Sequence, residues 1–438
     1  MLGDGDEELA LEERPIVPGT ARAALRYPAF RRVLFGAFLS NIGTWMHNVV
    51  LGAIAYDLTK SSAFVGLVVF AQLGPLLLLS PLGGVIADRF DRRRVLTVAT
   101  ISQFFLSLLL AAVMIPDEPS KAALLAVTFC IGIGQAIYAP CFNALLPELV
   151  EGKDIAGAVS LNSAQMNTAR VIGPVIGSFL YAVVGAPAVF ATNGVSYLFV
   201  VAAVAGATLP KVGRTHHDSR GFRALGDGLR IARAMPVVWR CLVTIAVFSL
   251  VSLPFVGQFP TLASRNLDME VKSTSYGVLY ACFGIGAVFG ALSVGTVFSR
   301  HAKETITRYG LVAFAVSVSV LSLLRAPAPA YPVVLVVGFT YIALVTSLMT
   351  RMQEELDNRV RGRVMALWIM GWGGTVPIGN LLAGPIIDAT SVTTVMLFGA
   401  AAALALSWYV RSGQIAHAEA EARAERDVRR ATIAATGR

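Results

Sequence analysis

The chain has 438 residues, of which 55% are hydrophobic and 14% charged, against about 25% charged in soluble globular proteins. With a mean hydropathy of +0.67, this composition excludes a soluble globular domain and indicates an integral membrane protein. The net charge of +9 does not indicate nucleic-acid binding, because the basic residues follow the loops of a membrane topology.

Twelve apolar runs of about 20 residues or more follow one another along the chain. They predict helices, because backbone groups in lipid must be hydrogen-bonded within their own segment. The predicted spans are 33–57, 63–87, 95–115, 122–146, 156–184, 186–208, 237–263, 275–299, 304–324, 331–350, 362–387 and 391–411. We therefore expect an all-α membrane protein.

The remaining segments are polar. Residues 1–28 begin with acidic residues, unlike a signal peptide, and are expected to be a disordered cytoplasmic tail. Residues 412–438 form a second cytoplasmic tail, and 209–236 link two six-span halves, 29–208 and 237–411. Within the linker Phe222, Leu225 and Leu229 share one helical face, which predicts an amphipathic helix at the membrane surface; a solvated loop is the alternative.

The connections between spans alternate in charge. One set of connections holds 5 of the 36 Lys and Arg residues. The set with both termini and the turn 88–94, counted with the flanking ends of the spans, holds 30, and Arg170 alone lies deep inside a span. Because cytoplasmic loops are basic, both termini and this turn are expected in the cytoplasm of a multi-pass cell-membrane protein.

The two halves repeat weakly. A shift of 207 residues places Gly83 on Gly290 and Glu148 on Glu355, in register across several spans. This repeat predicts two pseudo-symmetric six-helix halves, an arrangement found in secondary transporters.

A charged turn separates the second and third spans. Gly84 allows close helix packing, and Asp88 can accept hydrogen bonds from Arg89, Arg92 or Arg93, or face the positive end of a helix. These residues predict a gate contact; a plain basic cytoplasmic turn is the alternative.

Polar residues inside the spans predict a central cavity, because they cannot face lipid cheaply. The candidates are Asn41, Thr44, Trp45, His47, Asn48, Gln135, Asn162, Gln165, Arg170, Gln258, Tyr341 and Trp372. Arg170 either meets an anionic or polar substrate or holds the fifth span through carbonyl groups. His47 either forms hydrogen bonds in the cavity or carries a proton. Gly173, Pro174 and Gly177 predict close helix packing in the fifth span.

Four stretches carry a resemblance to a known family: residues 40–47, 83–94, 167–174, and 253–255 leading to 275–277. The chain resembles the major facilitator superfamily over nearly all its length and, within it, the branch of enterobactin exporters and transmembrane secretion effectors. The resemblance implies a contact of Asp88 with the start of the eleventh span, near Arg361–Arg363. Asp91 replaces a usual glycine and is expected to compete for the arginines.

The expected function is secondary active transport. We predict the export, by alternating access and driven by protons, of a small amphipathic molecule such as a siderophore, drug or metabolite. The usual proton-coupling residues are absent, since no Asp or Glu lies mid-span and Phe129 stands where many relatives carry arginine. A lipid or lysolipid transporter and a non-transporting receptor or scaffold are the alternatives.

No catalytic constellation or ATP-binding loop is found, so we do not expect an enzyme. The four cysteines lack metal-ligand spacing, and neither a metal nor a cofactor is expected. The expected partners are a small-molecule substrate, the lipid bilayer and protons, with no nucleic acid, and the protein is expected to be a monomer.

Overall fold

The structure, a computed structural model, describes residues 17–206 and 221–411. The side chains of 78, 80–85, 87–89, 221–225 and 358–359 lie outside this description, as does the predicted tail 412–438. The described residues form helices, turns and loops, and no β-strand occurs among them. The prediction of an all-α protein is confirmed.

The first half contains α1 (Pro28–Thr59), α2 (Ser62–Arg89), α3 (Arg92–Val113), α4 (Lys121–Leu145), α5 (Ile155–Val183) and α6 (Ala186–Ala205). The second half contains two interrupted helices among its six. These are α7 (Pro236–Val247, Phe248–Ser252, Pro254–Gly257 and Phe259–Arg265) and α11 (Asn358–Ile369, Met370–Gly374 and Thr375–Ala389). The other four are α8 (Thr274–Gly295), α9 (Lys303–Leu323), α10 (Pro327–Glu355) and α12 (Val392–Arg411).

Eight helices in the described part of the chain are by themselves long and apolar enough to cross a membrane. The twelve segments match the twelve predicted spans in order, although α1 and α10 extend beyond the predicted ends. Because the crossings alternate, the start of α1 and the end of α12 lie at one end of the bundle. We call this the terminal end, and the end formed by residues 57–62, 264–274 and 388–391 the distal end.

Side-chain caps define where several helices begin. Ser61, Ser120 and Ser273 each accept a hydrogen bond from a backbone N–H in the first turn of α2, α4 and α8. Asp91 does the same for α3, accepting from the Arg94 N–H at 2.9 Å. Asp91 therefore acts as the N-cap of α3, which accounts for an acidic residue at this position. We had expected Asp91 to compete for the arginines instead.

Residues 17–27, which precede α1, are folded, in contrast to the predicted tail over 1–28. Within this segment, the Gly19 N–H and the Tyr27 hydroxyl each donate to the buried Asp154 carboxylate at 2.8 Å, between α4 and α5. The Gly19 hydrogen bond is the largest of the causes that lower the pKa of Asp154, and the Tyr27 hydroxyl adds to it. The tail prediction is therefore wrong for residues 17–27, because their polar groups find partners in the α4–α5 connection.

The linker contains a helix from Gly221 to Ala234, as predicted. It packs on the start of α11, where a Cβ at Gly228 would lie 2.9 Å from the Arg363 carbonyl oxygen. Ala232 of the same helix is fully buried. Part of this amphipathic helix therefore contacts protein, and its position at the membrane surface stays a prediction.

Candidate transport site

Close packing of α5 on α1 positions Arg170. A Cβ at Gly173 would lie 2.5 Å from the Trp45 Cβ, and one at Gly177 would lie 2.7 Å from the Met46 Cα. Real Cβ atoms do not approach this closely, so both positions require glycine. The resulting contact brings Trp45 beside the preceding turn of α5, which carries Arg170.

The same helix also packs on the second half of the protein, through α8. A Cβ at Gly277 would lie 2.6 Å from the Pro174 carbonyl oxygen, and one at Gly284 would lie 3.3 Å from that of Arg170. Arg170 therefore lies where α1, α5 and α8 meet, between the two halves of the molecule.

Among the side chains that the structure describes, Arg170 has no anionic partner. Its guanidinium carbon lies 4.9 Å from the centroid of the Trp45 ring. Its buried Nε has no hydrogen-bond partner within the described residues. The sequence places no Asp or Glu inside any span away from the helix ends, so no carboxylate is available at this depth. A cation at the centre of a bilayer costs about 2.5–3.5 kcal/mol on insertion scales, which favours a functional role.

The guanidinium borders a cavity of about 120 Å³ between the halves. The other walls are apolar or aromatic, and come from both halves: Trp45, Leu253, Val256, Tyr280, Phe283, Tyr341 and Val376. Phe283 and Tyr341 stack at a centroid distance of 5.9 Å. The cavity thus combines one positive charge with aromatic surfaces, a combination typical of small-molecule binding sites.

Two widened π-helical turns shape the second half of the site. One, Phe248–Ser252 in α7, places the Phe248 ring 6.2 Å from that of Tyr341. The other, Met370–Gly374 in α11, carries Trp372, whose indole Nε1–H donates to the Tyr341 hydroxyl at 3.1 Å. Such turns are frequent at functional sites. Tyr341 is therefore oriented by neighbours on two different helices.

Of the predicted cavity residues, the structure brings Trp45, Arg170 and Tyr341 to this cavity, with Trp372 behind Tyr341. Three more form a polar chain between α1 and α5. The Asn41 amide donates to Gln165, and the Gln165 amide donates to Asn162, both at 3.0 Å. These three satisfy one another, so they fix α1 against α5.

The remaining candidates make contacts elsewhere. His47 is buried against α6, with its Nδ1 3.3 Å from the Asn193 amide nitrogen. Asn48 accepts from Gln72 of α2 at 2.6 Å. Three others are placed as follows: Thr44 donates to the Ser40 carbonyl, Gln135 accepts from Gln103, and Gln258 donates to the Ser62 carbonyl. Most of these polar groups therefore join helices and are satisfied by protein.

In the charged turn, the structure describes the side chains of Arg92 and Arg93. Arg92 forms an ion pair with Glu148, after α4. Arg93 donates to the Ala205 carbonyl at the end of α6 at 2.5 Å. Both arginines thus bind within the first half. The predicted gate contact of Gly84, Asp88 and Arg89 lies outside the described side chains and stays a prediction.

At the distal end, Asp388 joins the two halves. Its carboxylate, at the end of α11, accepts hydrogen bonds from the Ser61 hydroxyl at 2.7 Å and from the Ser62 and Ala63 N–H groups at 2.9 Å. Arg265 of α7 donates to the same carboxylate at 2.8 Å. We call these residues the distal clasp. The sequence alone offers no reason to single out Asp388, because its partners are far apart in the sequence.

Further contacts between halves surround the clasp. Arg265 also donates to the Lys60 carbonyl, and Ser62 and Gln258 are hydrogen-bonded across the same interface. A Cβ at Gly384 would lie 2.5 Å from the Ser62 carbonyl oxygen. The hydrogen bonds identified between halves within the described residues are therefore concentrated at the distal end.

Two six-helix halves around a central cavity, with one end held closed, define a transporter of the major facilitator class. A family model described as transmembrane secretion effector matches residues 19–435. The chain belongs to this family.

Similar proteins support the same class. The chain is 24% identical over 365 residues to the staphyloferrin A transporter of Staphylococcus aureus, covering 81% of this chain and 89% of that one. It is 26% identical over 359 residues to the enterobactin exporter EntS of Escherichia coli O1:K1, covering 78% and 81%.

Solved structures show the fold. The nucleoside transporter NupG matches with a TM-score of 0.69 at 15% identity, covering 88% of this chain and 98% of that one. A bacterial homologue of the human lysosomal transporter Spinster, in an inward-facing and unoccupied conformation, matches with a TM-score of 0.61 at 15% identity, covering 87% and 94%.

Proposed function

We propose that this transporter exports a small amphipathic organic molecule of the siderophore class from the cytoplasm. The observation that carries the proposal is the cavity between the halves. It combines aromatic walls with Arg170, whose Nε has no hydrogen-bond partner among the described residues. Such a site suits a molecule with both polar and apolar parts. The names of the two similar proteins, which refer to staphyloferrin A and enterobactin, support this cargo class.

The transport cycle would alternate access to this cavity. With the termini in the cytoplasm, as the basic loops predict, the distal end is the outer end. The distal clasp then holds the outer end shut, and the described state is the one that receives cargo from the cytoplasm. Rocking of the halves about the site breaks the clasp and releases cargo outside.

The proton gradient is our proposed energy source, although no carboxylate lies mid-span. His47 is a titratable side chain deep in the first half, and its Nε2 has no hydrogen-bond partner within the described residues. Its partners on α6 do not move relative to α1 if each half rocks as a unit. Its role as the proton carrier is therefore the weaker alternative, and a fixed hydrogen-bonding role suits it better.

The direct test uses purified protein in proteoliposomes. Staphyloferrin A, enterobactin and a fluorescent lysolipid would be offered separately, with and without an imposed pH gradient, to vesicles sorted by protein orientation. We expect accumulation of a siderophore in the everted orientation, lost when an ionophore dissipates the gradient. Movement of the lysolipid alone would support the lipid transporter instead. Binding without flux of any cargo would favour the receptor and contradict our proposal.

A further inference from the structure

We infer that Arg170 and Tyr341 form a subsite for one carboxylate-type oxyanion group of the cargo, carried on a planar or aromatic body. This inference rests on the proposed transport function and specifies its cargo. Three features of the site support it: Arg170 lacks a counter-ion among the described residues, Arg170 and Tyr341 offer hydrogen-bond donors, and the cavity has the size of a small ring.

The charge of Arg170 has no counter-charge in the sequence of the spans. Arg170 lines the cavity, and the sequence places no Asp or Glu in the middle of any span. An arginine with a purely structural role would be expected to satisfy its donors on backbone carbonyls. The buried Nε instead has no partner in the described part of the chain. A bound anion would complete this site.

The guanidinium and one hydroxyl supply the hydrogen-bond donors. The guanidinium carbon of Arg170 lies 4.9 Å from the centroid of the Trp45 ring, and the guanidinium carries five N–H donors and no acceptor. The Tyr341 hydroxyl already accepts from Trp372 Nε1, which leaves its own proton free to donate. The Tyr280 hydroxyl, by contrast, donates to the Val256 carbonyl at 3.0 Å. The cavity therefore presents two donors suited to an oxyanion, one of them charged.

The volume and the walls of the cavity suit a small planar group. A volume of about 120 Å³ is close to that of a cavity that holds one benzene-sized ring. Phe283 and Tyr341 form a stacked wall, and Leu253, Val256 and Val376 add apolar surface. In such surroundings a bidentate arginine–carboxylate contact is strengthened. The cavity thus fits one planar acidic group of a larger cargo.

The test compares two probes of nearly the same size and shape, the anion indole-3-acetate and the neutral amide indole-3-acetamide, whose NH2 group donates where the carboxylate oxygen accepts. Tritiated indole-3-acetate would be bound to the purified full-length protein and displaced by either unlabelled compound at neutral pH. We expect the carboxylate to bind about tenfold more tightly than the amide, the discrimination typical of one charge-assisted contact. Arg170→Gln should abolish the preference, Arg170→Lys should keep part of it, and Tyr341→Phe should weaken carboxylate binding several-fold.

The matched control is Arg233→Gln in the linker helix. Arg233 also lies over a tryptophan, at 5.2 Å from the Trp239 ring centroid, but outside the cavity. The Arg233→Gln variant should retain the full preference for the carboxylate over the amide. Absence of saturable indole-3-acetate binding, an equal affinity for both probes, or an unchanged preference in Arg170→Gln would each overturn the inference. If Arg170→Gln fails to fold, the wild-type comparison and Arg170→Lys still decide.

Failure of the subsite and failure of the transport proposal are separable. Charge preference is measured at equilibrium and needs no flux. Export of an uncharged siderophore analogue as fast as the acidic compound would overturn the subsite and leave transport standing. Charge-selective binding without flux would overturn the transport proposal and support the subsite.

Discussion

Replacing Asp388 by asparagine is expected to open the distal end of the bundle. The change removes the charge of a carboxylate at the end of α11. This carboxylate accepts three hydrogen bonds from the start of α2 and a fourth from Arg265 of α7. A carboxylate at a helix N-terminus contributes about 0.3–1 kcal/mol, and up to about 2 where partly buried. The ion pair with Arg265 adds about 0–1 kcal/mol, because the Arg265 and Asp388 side chains are 34% and 26% exposed.

The expected shift between the two states is therefore about 0.3–3 kcal/mol, or roughly 2–150-fold in their ratio. Asp117 and Ala326 are exposed on loops of different halves at the distal end. Spin labels at these two positions would report opening as a longer label-to-label distance in double electron–electron resonance. The labels require a background without the four native cysteines.

The control is Asp57→Asn. Asp57 lies at the same end, but its ion pair is with Lys60 in the next turn of the chain, at 2.5 Å. Its removal should leave the distance distribution unchanged. An unchanged distribution in Asp388→Asn, or an equal shift in Asp57→Asn, would refute the role of the clasp.

Two further predictions concern packing and the folded N-terminal segment. Gly384→Ala should also open the distal end, because its Cβ would lie 2.5 Å from the Ser62 carbonyl oxygen, whereas Gly373→Ala on the same helix meets nothing within 4 Å and should be silent in the same distance measurement. Asp154→Ala should free residues 17–27 and speed tryptic cleavage at Arg22 and Arg26 several-fold. The lowered pKa of Asp154 means that its stabilising contribution is present above the ordinary pKa and is lost only as pH falls below it. Cleavage of the wild type, divided by the rate at which trypsin cleaves an unstructured peptide at the same pH, should therefore not change between pH 6 and pH 8. Acceleration within that range would contradict this reasoning.

The sequence allowed the bundle to be predicted because the signal is physical length: a bilayer requires about 20 apolar residues per helix. It also singled out Arg170, since one charge in an apolar span is conspicuous. Trp45 and Tyr341 were also predicted as cavity residues. Leu253, Val256 and Tyr280 were missed, because they resemble the apolar and aromatic residues of any span.

The polar candidates show the opposite limitation. Asn48, Gln135 and His47 stood out as polar residues in apolar surroundings, and each finds a partner on a neighbouring helix of its own half. A sequence indicates that such a group needs a hydrogen bond. It does not say whether cargo or another helix supplies it, because that depends on rotation and packing of helices distant in the chain.

The distal clasp has a geometric counterpart that we propose at the terminal end. Helices α2 and α11 run in opposite directions, so the end of each lies near the start of the other. Asp388, near the end of α11, binds the start of α2. By the same geometry Asp88, near the end of α2, is placed to meet the start of α11, as the family resemblance implies. If the halves rock about the cavity, closing one contact opens the other.

Asp88→Asn should then shift the Asp117–Ala326 distance in the direction opposite to Asp388→Asn, and the double variant should return toward the wild type. Shifts of both single variants in the same direction would show that the two carboxylates do not oppose each other.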